Sequence, residues 1–169
     1  MLFRSFNLGR FDEALAAGLR SLEIQRRNGN RYGEGIALGV LGGSCQRLGR
    51  FAEAIDHLQA ALAIFRELGD RMAEADSLSD LGEAYLGLGQ VSEAVDALTA
   101  SLVIWQNIGD RHGLAATLLR LGRAQQAAGS PKQAYDLLSR AAALFDELGD
   151  RAQAADARSA MVTNIRRSS

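Results

Sequence analysis

The side chains able to ligate a metal or attack a substrate are few and scattered. His57 and His112 are the only histidines. Neither is followed by a second histidine or a cysteine at metal-ligand spacing, so no zinc-type set is legible. Cys45 is the sole cysteine, which rules out an intramolecular disulfide or a multi-cysteine metal site. It falls in step with Leu41 and Leu48 on an apolar stripe, where a thiol packs as a small hydrophobe with a raised pKa. The run Gly39-Val40-Leu41-Gly42-Gly43 is rich in glycine. No Lys-Ser/Thr follows it and no strand pattern precedes it, as a phosphate-cradling loop requires, so these glycines indicate close helix packing or room for a ligand. Phe11, Phe51, Phe65, Trp105 and Phe145 would suit base stacking. Phe11 and Phe51 nevertheless occupy equivalent repeat positions, as do Phe65 and Phe145, which favours core packing, with Trp105 expected to be partly exposed. No catalytic constellation emerges, and neither an enzyme activity nor a cofactor is expected.

Composition narrows the class further. The 169 residues are 47% hydrophobic and 23% charged, which is too apolar for a disordered chain. A formal charge of −1 lacks the basic excess that binding to phosphates needs, so direct contact with nucleic acid is not expected. One proline, 18 glycines and 6% aromatics favour long helices broken by glycine turns. No stretch approaches the ~18 apolar residues of a membrane span, and Met1–Arg10 lacks the pattern of an export signal. With the lone cysteine, this makes the cytoplasm the expected compartment. Of the 19 basic residues all but Lys132 are arginine, a bias typical of a G+C-rich bacterial genome.

The elements that would have to position any site are set by a repeat. Shifting the chain by 40 residues superposes Gly9, Gly49, Gly89 and Gly129, and likewise Gly29, Gly69, Gly109 and Gly149. Arg31, Arg71, Arg111 and Arg151 coincide, as do Ala14, Ala54, Ala94 and Ala134. Between the glycines, apolar residues recur at helical spacing, for example Leu38, Leu41, Cys45 and Leu48, then Ile55, Leu58, Leu62 and Phe65. Each glycine marks a left-handed helix end, and Asn30, Asp70, Asp110, Asp150 and Ser130 are N-caps for the helices that follow, with Pro131 at a first helical turn. The expected helices span about 10–28, 31–48, 51–68, 71–88, 91–108, 111–128, 131–148 and 151–166. Residues 2–8 are expected to end an earlier helix, because Met1 falls in the slot of Leu41, Leu81 and Leu121. This predicts one all-α array: a partial first unit over 1–28, full units at 31–68, 71–108 and 111–148, and a terminal helix at 151–166, as a piece of a longer solenoid.

The three full units read Leu41-Gly42, Cys45, Ala54, Leu58 and Ala61; Leu81-Gly82, Tyr85, Ala94, Leu98 and Ser101; and Leu121-Gly122, Gln125, Ala134, Leu138 and Ala141. This pattern resembles the tetratricopeptide repeat, in which small residues let paired helices approach and large ones fill the space between them. The unit here has 40 residues, and it departs from the family at Cys45 and Gln125, where tyrosine is usual. With its junctions Glu67-Leu-Gly-Asp-Arg71 and Glu147-Leu-Gly-Asp-Arg151, it is similar to the repeats in sensor arms of bacterial signal-transduction ATPases and transcription activators, and in spindle-orientation adaptors. The resemblance implies an α-solenoid of antiparallel helix hairpins, wound as a right-handed superhelix, that binds a protein or peptide.

In that family the first helix of each unit lines the concave surface. Carried onto this chain, the rule selects Gln46 and Arg47, then Asp76, Asp80 and Glu83, then Arg120, Arg123 and Gln126 as the partner-binding set, beside Ile36, Gly39, Val40, Gly43 and Ser79. Asp80 and Glu83 lie one repeat before Arg120 and Arg123. These charges form either a ladder of salt bridges between units or a surface that recognises a charged peptide. The leading expectation is a non-catalytic scaffold or sensor module of a larger bacterial regulatory protein. Alternatives are a repeat domain controlling an ATPase or protease, and self-association through the repeat ends, with Leu2, Phe3 and Phe6 as contacts.

Overall fold

The computed structural model describes the backbone of residues 2–167 and the side chains of residues 13–162. All regular structure among them is helical: α1 (Leu2–Arg27), α2 (Arg31–Arg47), α3 (Phe51–Leu68), α4 (Arg71–Gly87), α5 (Val91–Ile108), α6 (Arg111–Ala127), α7 (Pro131–Glu147) and α8 (Arg151–Arg167).

The seven glycines at 29, 49, 69, 89, 109, 129 and 149 all have left-handed backbones, with φ between 64° and 80°. That conformation lets the next amide reach back across the helix end, as Asp70 N–H does to Phe65 O at 2.9 Å. At several junctions the following side chain then caps the new helix, whereas Arg50 and Gln90 give no such bond. Asp70 and Asp110 accept from the backbone N–H of Ala73 and Gly113 at 3.0 and 2.7 Å. Ser130 sits in the same position but its hydroxyl makes no capping bond. There Pro131, with φ already fixed, orders the first turn instead.

One expected boundary does not occur. α1 runs unbroken through Gly9, where a helix end was anticipated. The equivalent Gly49 does end a helix although Arg50 after it gives no side-chain cap, so the missing cap at Arg10 does not by itself explain the continuity; continuing the helix satisfies the backbone N–H groups that a break would leave unpaired.

Hairpins form because small residues face large ones. Ala54, Ala94 and Ala134 are completely buried, as are Leu98 and Leu138 beside the nearly buried Leu58. Gly42, Gly82 and Gly122 lie so close to Leu58, Leu98 and Leu138 that an added Cβ would come within 2.4–2.7 Å of them. Each hairpin is thus tightened by a glycine that a methyl group would force apart. Phe65, Trp105 and Phe145 occupy one repeat register and are all buried. Trp105 is therefore a core residue, not the partly exposed one expected; its indole packs over Gly113, whose missing Cβ would lie 2.5 Å from it. The Glu and Arg of the junctions act within a unit: Arg31 at the start of α2 donates to Glu67 at the end of α3 at 2.8 Å, and Arg111 pairs with Glu147 in the same way.

Every helix packs on the next, and α2, α4, α6 and α8 also touch one another in series, whereas among the described residues α3, α5 and α7 do not. The helices that approach more closely lie on the inside of the curve, so the first helix of each unit lines the concave surface.

Candidate binding groove

α2, α4 and α6 present a continuous inner wall. Along α2 the glycines divide by role. Gly42 packs on Leu58, but Cβ atoms at Gly39 and Gly43 would meet nothing within 4 Å. Ile36 and Val40, beside them, are 46% and 50% exposed. Between α2 and α4 lies a cavity of about 230 Å³ walled by Ile36, Gly39, Val40 and Phe65, with Asp76 and Asp80 at its rim. A second, more polar cavity of about 590 Å³ adjoins it through Asp80, lined by Gly43, Gln46, Arg47, Glu83 and Arg120. Six of the eight residues selected from the sequence are thus brought together here, while Arg123 and Gln126 face α8.

The contacts between successive inner helices fix these side chains. Gln46 Nε2 donates to the carbonyl of Asp80 at 2.6 Å, and Gln126 repeats the bond to the carbonyl of Ala160 at 2.7 Å. Leu86 holds the intervening position. Arg120 takes its place as the link between α4 and α6, donating to Ser79 Oγ at 2.7 Å and pairing with Glu83 at 3.2 Å and Asp80 at 3.5 Å. Ser79 is buried, and its hydroxyl lies 3.4 Å from Thr117, which is 3.4 Å from Ser101. Ser101 in turn donates to the carbonyl of Ala75 at 2.8 Å, so the link ends in a closed polar network.

The charge ladder therefore forms, but in a different register from the one expected. Arg120 takes both acidic residues of α4, and Arg123 pairs instead with both oxygens of Asp156 on α8 at 2.7 Å. Inner helices lean against each other, so side chains meet across sequence steps of 33, 34 and 37 as well as 40, and Glu83 reaches Arg120 at the step of 37 instead of Arg123 at 40.

The acidic side of the groove is incompletely neutralised. Among the described residues the Asp76 carboxylate makes no hydrogen bond or ion pair, and the Asp80 carboxylate has only the 3.5 Å contact with Arg120. Burial raises the pKa of Asp76, with Arg120 opposing it. Burial likewise pushes Asp80 up to about 6 against the pull of Arg120, with Asp76 and Glu83 adding to the rise. Burial also raises the Cys45 thiol. No group of three or more histidine, cysteine or acidic side chains able to hold a metal occurs among the described residues. No described helix is long and apolar enough to cross a membrane.

The family profile of the tetratricopeptide repeat matches residues 5–67, 35–102 and 72–147. The chain belongs to the tetratricopeptide repeat family. Among solved structures, a kinesin light chain of Podosopora anserina with nearly identical TPR-like repeats is similar at a TM-score of 0.71 and 22% identity, over 94% of this chain and 86% of that one. BtubC from P. vanneervenii gives 0.73 at 21% identity, over 87% of this chain and 62% of its own. Aspartyl phosphate phosphatase F from Bacillus subtilis gives 0.67 at 15% identity, over 98% of this tetratricopeptide array and 51% of the phosphatase. At these identities the likeness is one of fold. No curated protein sequence matches.

Proposed function

We propose that this tetratricopeptide array is a non-catalytic scaffold or sensor module that binds a segment of another protein in the groove of α2, α4 and α6. The contact set is Gln46, Arg47, Asp76, Asp80, Glu83 and Arg120, extended toward α8 by Arg123 and Gln126. The observation that carries this reading is the open floor at Gly39 and Gly43, where nothing lies within 4 Å of an added Cβ. A glycine inside a helix costs roughly 0.5–1 kcal/mol relative to alanine. Packing accounts for that cost at Gly42 but not at its two neighbours, and the groove they keep open is edged with charge. The arginine bias and the 40-residue unit with its Glu-Leu-Gly-Asp-Arg junctions support a place in a cytoplasmic bacterial regulatory protein.

The test is selection from a displayed library of random short peptides, followed by affinity measurements on Gly39→Leu and Gly43→Leu. Selected peptides are expected to bind the wild-type protein and to lose binding to these variants while helicity is retained. Binders indifferent to both substitutions would remove the groove from the account. Leu2, Phe3 and Phe6, named for self-association, lie outside the described side chains.

A further inference from the structure

The smaller cavity combines two features that rarely suit one ligand group. Its walls are apolar, from Ile36, Val40 and Phe65 over the bare backbone of Gly39, yet two carboxylates stand at its rim. Its volume of about 230 Å³ is below the ~300–1,000 Å³ of pockets for whole small molecules, and suits a single side chain. Asp76 and Asp80 are four residues apart on one helical face, a spacing at which like charges repel. Neither is hydrogen-bonded through its carboxylate, and Arg120 gives its nearer contacts to Ser79 and Glu83.

On the groove reading above, we propose that this cavity receives one lysine or arginine side chain of the bound peptide, its carbon stem over Gly39 against Ile36 and Val40 and its charged end at Asp76 and Asp80. Long basic side chains are amphipathic in this sense: the stem buries on apolar surface while the head stays with polar partners. An uncharged apolar side chain would fill the walls but leave Asp76 without a partner and Asp80 with only its 3.5 Å contact to Arg120. A cation relieves their mutual repulsion as it binds, so complementarity sets specificity here. The partner is therefore a protein segment with a basic residue among apolar ones.

The probe is again the library of random short peptides. The selected sequences are expected to share a lysine or arginine with apolar neighbours. Replacing that residue with methionine should weaken binding to the wild-type protein roughly 30-fold or more, the effect of unpairing a buried charge. The Asp76→Asn/Asp80→Asn double variant, which trades the long Asp80–Arg120 contact for relief of a like-charge repulsion, should shift its melting temperature little. It should bind the parent peptide weakly, with the methionine substitution then changing affinity by less than about 3-fold. An equal loss on both proteins, or a consensus without a basic residue, would overturn the assignment of the cavity. If Gly39→Leu still abolished binding in that case, the groove reading would stand; if it did not, that reading would fall as well.

Discussion

Arg120 Nη1 donates to the hydroxyl of Ser79 at 2.7 Å across the interface between α6 and α4. That bond ties an arginine of the groove wall to a buried chain of hydroxyls running through Thr117 and Ser101. Arg120 is consequently held by its guanidinium and screens one edge of the acidic wall, which leaves the Asp76 carboxylate without an ion pair there.

Arg120 and Arg123 should therefore differ when truncated. Arg123 and Asp156 are 46% and 45% exposed, and Arg123→Ala is expected to cost under about 1 kcal/mol in urea denaturation. Arg120→Ala should cost more, because it leaves Asp80 without an ion pair and the Ser79 hydroxyl without its donor. Its effect on peptide affinity should also exceed that of Arg123→Ala, whose charge is already engaged by Asp156. Equal stability losses would mean that the buried hydroxyl network does not anchor Arg120.

The glycines offer a test of opposite sign. Gly39→Ala is expected to stabilise the fold by about 0.5–1 kcal/mol, since its Cβ enters open space on a regular helix. Gly82→Ala should destabilise it, because Leu98 Cγ lies 2.4 Å from the new methyl group and its whole hairpin would have to move. Thermal unfolding of the two variants side by side decides between packing and groove roles for these glycines.

Asp80 should titrate near pH 6 in the folded protein, read from its carboxyl carbon by NMR. Arg120, Asp76 and Glu83 face it, with Gln46 and Arg47 across the adjoining cavity. Because the folded protein holds this proton more tightly than the unfolded chain, Asp80's contribution to stability is greatest below about pH 4. It declines as pH rises toward 6. The midpoint should rise in Arg120→Ala, which removes the cation opposing protonation, and fall in Asp76→Asn. A midpoint in the ordinary carboxylate range would mean that the groove wall is fully solvated.

Much of the architecture was legible because its punctuation is chemical. A glycine followed by Asn30, Asp70 or Asp110 specifies a left-handed stop and a capped start, and those boundaries fall within a residue of expectation. Gly9 and Gly49 are each followed by arginine, yet only Gly49 ends a helix, so this boundary was not legible from the residues alone. The groove was legible in membership and not in pairing. Repeat alignment identifies equivalent positions, but it carries no information on how far neighbouring helices slide, and that slide sends Arg123 to Asp156. Nor does glycine in a sequence reveal what surrounds it: Gly42 against Leu58 and Gly43 against open space look alike until the helices are placed.

Since among the described residues each helix touches only those one or two places away along the chain, length is a dimension the fold leaves free. Duplicating a unit in tandem would insert a hairpin between two existing surfaces that already fit it, with no central core to reopen. Each copy would lengthen the inner wall by one more helix and bring its own charges in register. Such an array changes its specificity by editing a row of interchangeable places, much as a word changes by its letters, and the alternation of acidic α4 with basic α6 is the spelling this chain carries.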